Sequence, residues 1–280
     1  MKAKKRYTDT KSADVFGGRT IDEQLSYVDK LGNHGLPEII KAMSYYGTAK
    51  AMAKETAENL VFLGCYHPFL SHERTVAYFE LLDALGVEFA CLDKEYCCGA
   101  FPIKLAKDDK ESVMKRSREF VKRNIEAADL KKAKRIAYFC CQCAYVSRFL
   151  VPEAGDRLVY GLDIILEALK GRSLKLPPAR AGYFEGCHTN KIGFPEIDMN
   201  WKAYRETLNK VKGLSVEDIP NNVCCQTAPD KILEMARQKN LETLICPCST
   251  CAMGLNRAIG GHIKIITLAE VLLDACNESA

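Results

Sequence analysis

From Asn59 onward the chain alternates short, continuous apolar runs with longer segments of helical periodicity. Leu60-Val61-Phe62-Leu63, Val87 to Leu92 and Arg135 to Phe139 are too short for helices and predict buried strands. Between them, Ser71 is a suitable N-cap for a helix with Val76, Phe79, Leu82 and Leu85 on one face, stopping at Gly86. A charged helix is predicted over about 109–129, and the apolar spacing of Val159, Leu162, Ile165, Leu166 and Leu169 predicts helix throughout 158–170. The same succession then returns. Residues 181–187 read as strand, 199–211 as helix, 215–219 as strand, 229–239 as helix and 241–245 as strand, before a closing helix over 267–275 that resembles 161–169.

The pattern predicts an α/β protein made of two pseudo-symmetric α/β repeats with short parallel sheets, preceded by a helical N-terminal arm. Its expected divisions are an arm at 1–58, a first repeat at 59–176 and a second at 177–280, with Pro177-Pro178 as linker. In the arm, Thr20 and Glu23 form a capping-box pattern for a helix ending at Gly32, and a second helical stretch runs from Leu36-Pro37 to about Asn59. The arm contains no cysteine. It is expected to dock a partner, and its removal to leave any metal site intact.

Cysteine changes the picture most. Ten of the 14 fall into two copies of one pattern: Cys65, Cys97-Cys98, Cys140-x-x-Cys143, then Cys187, Cys224-Cys225, Cys248-x-x-Cys251. They stand where strands are predicted to end, where open α/β sheets bind ligands. The basic N-terminus lacks an apolar h-region and no run reaches the roughly 18 apolar residues of a span. The expected compartment is therefore the cytoplasm, where clustered thiols serve metals more than disulfides. The formal charge of +4 gives no reason to expect nucleic acid. A zinc site takes four ligands, so five thiols per half leave one over, although each CxxC suits zinc. Adjacent cysteines diverge and reach two different metal ions more naturally, which favours an iron–sulfur cluster of unusual shape.

Cys65, Cys97-Cys98-Gly99 and Cys140-x-x-Cys143, followed by the second copy, resemble the CCG cysteine-rich domain found twice in the B-type chain of heterodisulfide reductase, and its relatives in lactate, glycolate and glycerol-3-phosphate oxidation complexes. The resemblance covers about residues 59–276. It implies two non-cubane [4Fe–4S] clusters, one held by Cys65, Cys97, Cys98, Cys140 and Cys143, the other by Cys187, Cys224, Cys225, Cys248 and Cys251. It also implies an oxidoreductase acting on a small-molecule disulfide or thiol. The implied partners are a ferredoxin-like [4Fe–4S] subunit and a flavoprotein subunit, since this chain has no flavin or nucleotide fingerprint and no CxxCxxC run. Two readings stand beside it: the CCG subunit of a substrate-oxidation complex feeding quinone, and a zinc-holding scaffold.

The second copy departs from the pattern. Gln226 follows Cys224-Cys225 where the first copy has Gly99, and 22 residues separate Cys225 from Cys248 against 41 between Cys98 and Cys140. Gln226 is expected to alter the loop or crowd the site. His67 and His188, close behind the first cysteine of each copy, are the candidate proton donors. Cys91 and Cys276 read as packing thiols; Cys141 and Cys246, beside ligands, read as packing thiols that could also replace one.

Overall fold

The computed structural model describes residues 20–33, 50–65, 67, 72–106, 109–186, 199–258 and 263–279. Helix α1 (Ile21–Leu31) begins with the expected capping box, Thr20 with Glu23, and ends at Gly32 with a φ of 79°. Most of the second arm helix lies outside the described residues, as does Ser71; the described part of that stretch is helical only at 50–52, and 53–58 are turn and loop leading into the first strand.

The first repeat runs β1 (Asn59–Phe62), α2 (His72–Ala84), β2 (Phe89–Cys91), α3 (Ala100–Leu105), α4 (Lys110–Leu130), β3 (Arg135–Tyr138), α5 (Cys141–Leu150), β4 (Leu158–Tyr160) and α6 (Gly161–Ala168). The second runs β5 (Leu174–Tyr183), α7 (Trp201–Asn209), β6 (Val211–Asp218), α8 (Pro229–Gln238), β7 (Thr243–Cys246), α9 (Ser249–Ala258), β8 (Lys264–Thr267) and α10 (Leu268–Asn277). Each forms an all-parallel sheet, with strand order β2-β1-β3-β4 in one and β6-β5-β7-β8 in the other. The two α/β repeats are thus alike in topology as well as in cysteine pattern. The inner strands β1, β3 and β7 are nearly continuous apolar, buried runs because helices cover the sheets, whereas most of β5 and of β6 is exposed or half-buried.

The structure corrects some of these local expectations and adds elements beyond them. Residues 158–160 and 264–267 are strands that complete the two sheets, although their apolar residues continue into the following helices. Residues 141–150 and 249–258 are helices, so each CxxC opens a helix as well as ending a strand. Pro177-Pro178 lies inside β5, at the register shift between Lys175 and Ala179. Proline cannot donate to a ladder, and such a shift is where a strand tolerates it.

The repeats join as a pseudo-twofold pair. α5 packs against α9, while the first helix of each repeat packs on the last helix of the other: α2 on α10, and α7 on α6. Polar contacts repeat the exchange. Arg74 on α2 donates to the Ile265 carbonyl (3.0 Å) and faces Glu270 (3.5 Å). Tyr204 on α7 donates to Asp163 (2.6 Å), the position of α6 equivalent to Glu270 in α10. Tyr160, Trp201 and Tyr204 form an aromatic cluster between α6 and α7.

Candidate metal centre

In a sheet of order β2-β1-β3-β4 the connections from β1 and β3 leave in opposite directions, opening a crevice between their carboxyl ends. Cys65 lies three residues beyond β1 and Cys140 two beyond β3, so both stand at this switch point. Cys97-Cys98 arrive from the loop after β2. Cys98 Sγ donates to Cys143 Sγ across 3.4 Å, Cys143 also contacts the Cys140 thiol, and Cys65 contacts Cys97. The structure therefore brings the first five predicted cysteines into one group. All are buried except Cys65, which is half-buried.

Backbone clamps fix this group. The Glu95 carboxylate accepts the N–H groups of Leu63 (3.1 Å) and Gly64 (3.0 Å), tying the strand end before Cys65 to the segment before Cys97. Asn124 on α4 grips Tyr96 on both sides, accepting its N–H (2.8 Å) and donating to its carbonyl (2.7 Å). The Cys97 N–H donates to the Gly32 carbonyl at the end of α1 (2.7 Å). Ion pairs Arg116–Asp22 (2.9 Å) and Arg123–Asp29 (2.5 Å) hold α1 to α4. Within the arm, α1 thus buries Leu25 and Val28 and braces the loop carrying Cys97. Gly99 supplies the αL turn (φ 76°) into α3, and a Cβ there would lie 2.0 Å from Ser117 Oγ.

The electrostatics describe a donor set that suits a cationic core. Contact with Cys97, followed by burial, pushes the Cys65 thiol well above its ordinary range. Cys143 is pushed up by its contacts with Cys140 and Cys98. For Cys98 the bond to Cys143 pulls downward, but Cys97 and burial win and the thiol is raised. Cys140, by contrast, is held low, chiefly by its bond from Cys143. Crowded buried thiolates repel one another, whereas a thiophilic cation makes every one favourable and releases protons on binding. The residues present thus fit a thiolate-bound metal group. Among the described residues, no group of three His, Cys, Asp or Glu side chains is arranged for a single metal ion.

In the second half, Cys187 and His188 lie outside the described residues. Cys225, Cys248 and Cys251 are buried and Cys224 is half-buried. The two halves share local details. The N–H two residues after the first cysteine of the pair points at its sulfur in both, Gly99 to Cys97 and Gln226 to Cys224, each at 3.5 Å. The last cysteine of each CxxC donates its N–H to the first, Cys143 to Cys140 and Cys251 to Cys248. A Cβ on Gly186 would lie 3.1 Å from Cys251 Sγ, so the strand end before Cys187 reaches this group.

The two CxxC turns meet across the pseudo-twofold. Cys140 Sγ lies 3.3 Å from Thr250 Oγ1, Ser249 donates to the Phe139 carbonyl (3.3 Å), and Tyr160 donates to the Pro247 carbonyl. Cys141, expected to be a packing thiol of its own half, instead donates to Cys248 Sγ at 3.0 Å. No pattern in the sequence pairs residues 107 apart. Cys91 and Cys246 are fully buried and Cys276 is half-buried. Burial lowers His67 to about 4, so its ring is neutral at neutral pH. It packs edge-on against Phe139, and among the described residues neither ring nitrogen has a hydrogen-bond partner of good geometry.

Residues 59–146 match the family described as CCG, a cysteine-rich domain. The chain is 30% identical over 253 residues to the D-type chain of dihydromethanophenazine:CoB–CoM heterodisulfide reductase from Methanosarcina barkeri, covering 79% of this chain and 60% of that protein. The corresponding D-type chain of Methanosarcina acetivorans is 26% identical over 229 residues, covering 72% and 54%. This chain thus spans little more than half the length of these curated relatives. A solved structure of an Asp/Glu racemase from Yersinia pestis covers 79% of this chain and 98% of its own, at 10% identity and a TM-score of 0.36, too low to carry an argument. No helix among the described residues is long and apolar enough to cross a membrane.

Proposed function

We propose that this chain is an iron–sulfur subunit of a heterodisulfide-reductase-like complex that reduces, or forms, a disulfide at two non-cubane [4Fe–4S] clusters in the cytoplasm. The observation that carries this reading is the convergence of Cys65, Cys97, Cys98, Cys140 and Cys143 on one buried group, set against Cys248 of the second pattern. The curated relatives support the heterodisulfide reductase assignment, and they are D-type chains. The B-type assignment rests on the doubled cysteine motif.

In this reading Cys65, Cys97, Cys98, Cys140 and Cys143 hold the first cluster, and Cys187, Cys224, Cys225, Cys248 and Cys251 the second. When bound, such clusters supply one-electron transfer and iron that binds sulfur. The protein contributes position and insulation. Glu95 and Asn124 hold the two loops of the first site in register, and the packing of α1, α3 and α4 keeps water from Cys97 and Cys98. His67 and His188 are the proposed proton donors of the first and second halves. The contact of α5 with α9 sets the two cysteine groups side by side, as a reaction consuming two electrons and yielding two thiolates requires. Electrons enter from a ferredoxin-like [4Fe–4S] subunit, with a flavoprotein behind it. Serine substitutions test this assignment: Cys65→Ser and Cys187→Ser are each expected to remove one cluster signal, keep the other, and eliminate disulfide reduction. A Cys187→Ser chain reducing its disulfide near the parent rate sinks the two-cluster reading.

A further inference from the structure

The second cysteine pair lacks a device that the first possesses. After Gly99 the chain turns into α3, and the Ala100 N–H of that helix points at Cys98 Sγ. The shorter second gap has no counterpart of α3 among the described residues. Its residues 224–228 close on themselves, with Thr227 and Ala228 donating to the Cys224 carbonyl (3.2 and 2.9 Å), and α8 follows directly from Pro229. Cys225, the equivalent of Cys98, therefore sits in a closed turn rather than at a helix start.

Gln226 fills that role with its side chain. Its Nε2 lies 3.7 Å from Cys225 Sγ and donates to the Thr250 carbonyl at 3.3 Å. The carbonyl can only accept, so it fixes the NH2 end of the amide toward the sulfur. The space for the amide is provided by Gly254, in the interior of α9, where glycine is otherwise disfavoured. A Cβ on Gly254 would stand 2.3 Å from Gln226 Nε2 and 3.2 Å from the Cys225 carbonyl. The equivalent residue of the first repeat, six positions after the first cysteine of CxxC, is the buried Val146.

We infer that the Gln226 side chain is a dedicated N–H donor to the Cys225 sulfur, replacing the start of α3 and seated by Gly254. Rather than crowding the second site, Gln226 completes it. This rests on the proposed second cluster. A donor to a ligating sulfur stabilises the more negative, reduced state, and hydrogen bonds to sulfur are one of the determinants of cluster potential. Gln226 is thus a positioning and tuning residue, and its effect belongs to the second cluster alone.

The test is a potentiometric titration of the anaerobically produced full chain, followed by magnetic resonance, with iron counted in every sample. Gln226→Leu is expected to shift the one-electron equilibrium of the second-site signal about tenfold, about 59 mV lower, with the first-site signal unmoved. Gly254→Ala, which leaves Gln226 in place but takes its seat, is expected to give the same shift, because an exposed glutamine end swings away at little cost to folding. The double variant is expected to shift no further than either single one. Unmoved second-site potentials in a chain holding about eight irons overturn the inference and leave the cluster reading standing, as do additive shifts. A parent chain with only about four irons and one signal overturns the two-cluster reading, and the inference with it.

Discussion

Asn124→Ala removes both arms of the clamp on Tyr96, the residue before Cys97. Asn124 is 1% exposed, so no bulk water takes its place. The substitution orphans the Tyr96 N–H and carbonyl, which it now bonds at 2.8 and 2.7 Å. Each buried backbone group left without a partner costs about 1–3 kcal/mol, so the variant is expected to lose roughly 2–6 kcal/mol. Against a typical total of about 5–15 kcal/mol, that is a large share. Urea denaturation of the metal-free chain, followed by circular dichroism, measures it. Glu119→Ala, on the exposed face of the same helix, is the control and is expected to stay within about 0.5 kcal/mol. The loosened Cys97 loop should also release first-site iron to a chelator faster than second-site iron. A loss below about 1 kcal/mol, or equal iron release from both sites, refutes the clamp as the support of this loop.

Other consequences follow from the same contacts. Truncating the chain before residue 34 removes the Gly32 carbonyl that accepts the Cys97 N–H, so first-site iron should become labile while second-site iron persists; unchanged release rates contradict the bracing role of α1. Arg74→Ala and Tyr204→Phe cut equivalent contacts of the pseudo-twofold and should each cost about 1–3 kcal/mol in denaturation, and a cost at only one of the two disproves their equivalence. Cys91→Ser should preserve all iron and lose only about 1–3 kcal/mol for its buried hydroxyl, whereas Cys98→Ser should disrupt the first cluster; identical iron content in the two variants defeats the ligand assignment.

Much of the architecture is legible in the sequence because local signals agree with the tertiary result. Thr20 with Glu23, and Gly32 after them, mark a helix whose ends the structure keeps. The apolar runs at 60–63 and 135–139 are strands because both faces of the sheet are covered. What was hidden has physical causes. The strand at 158–160 is three residues long and runs directly into a helix, so helical periodicity absorbs it. The contact of Cys141 with Cys248 depends on how two repeats pair, which no local pattern encodes. The contact of Gln226 with Gly254 joins a turn to a helix about 28 residues further on, which no local pattern encodes; a lone glycine inside a helical pattern was the available signal.

Two sets of thiols holding iron–sulfur clusters should show directly in the chain's metal content. Metal and acid-labile sulfide analysis of the full chain, produced and handled without oxygen, tests this most directly. About eight irons and eight sulfides per chain, with little zinc, are expected. Stoichiometric zinc with little sulfide would contradict the cluster reading.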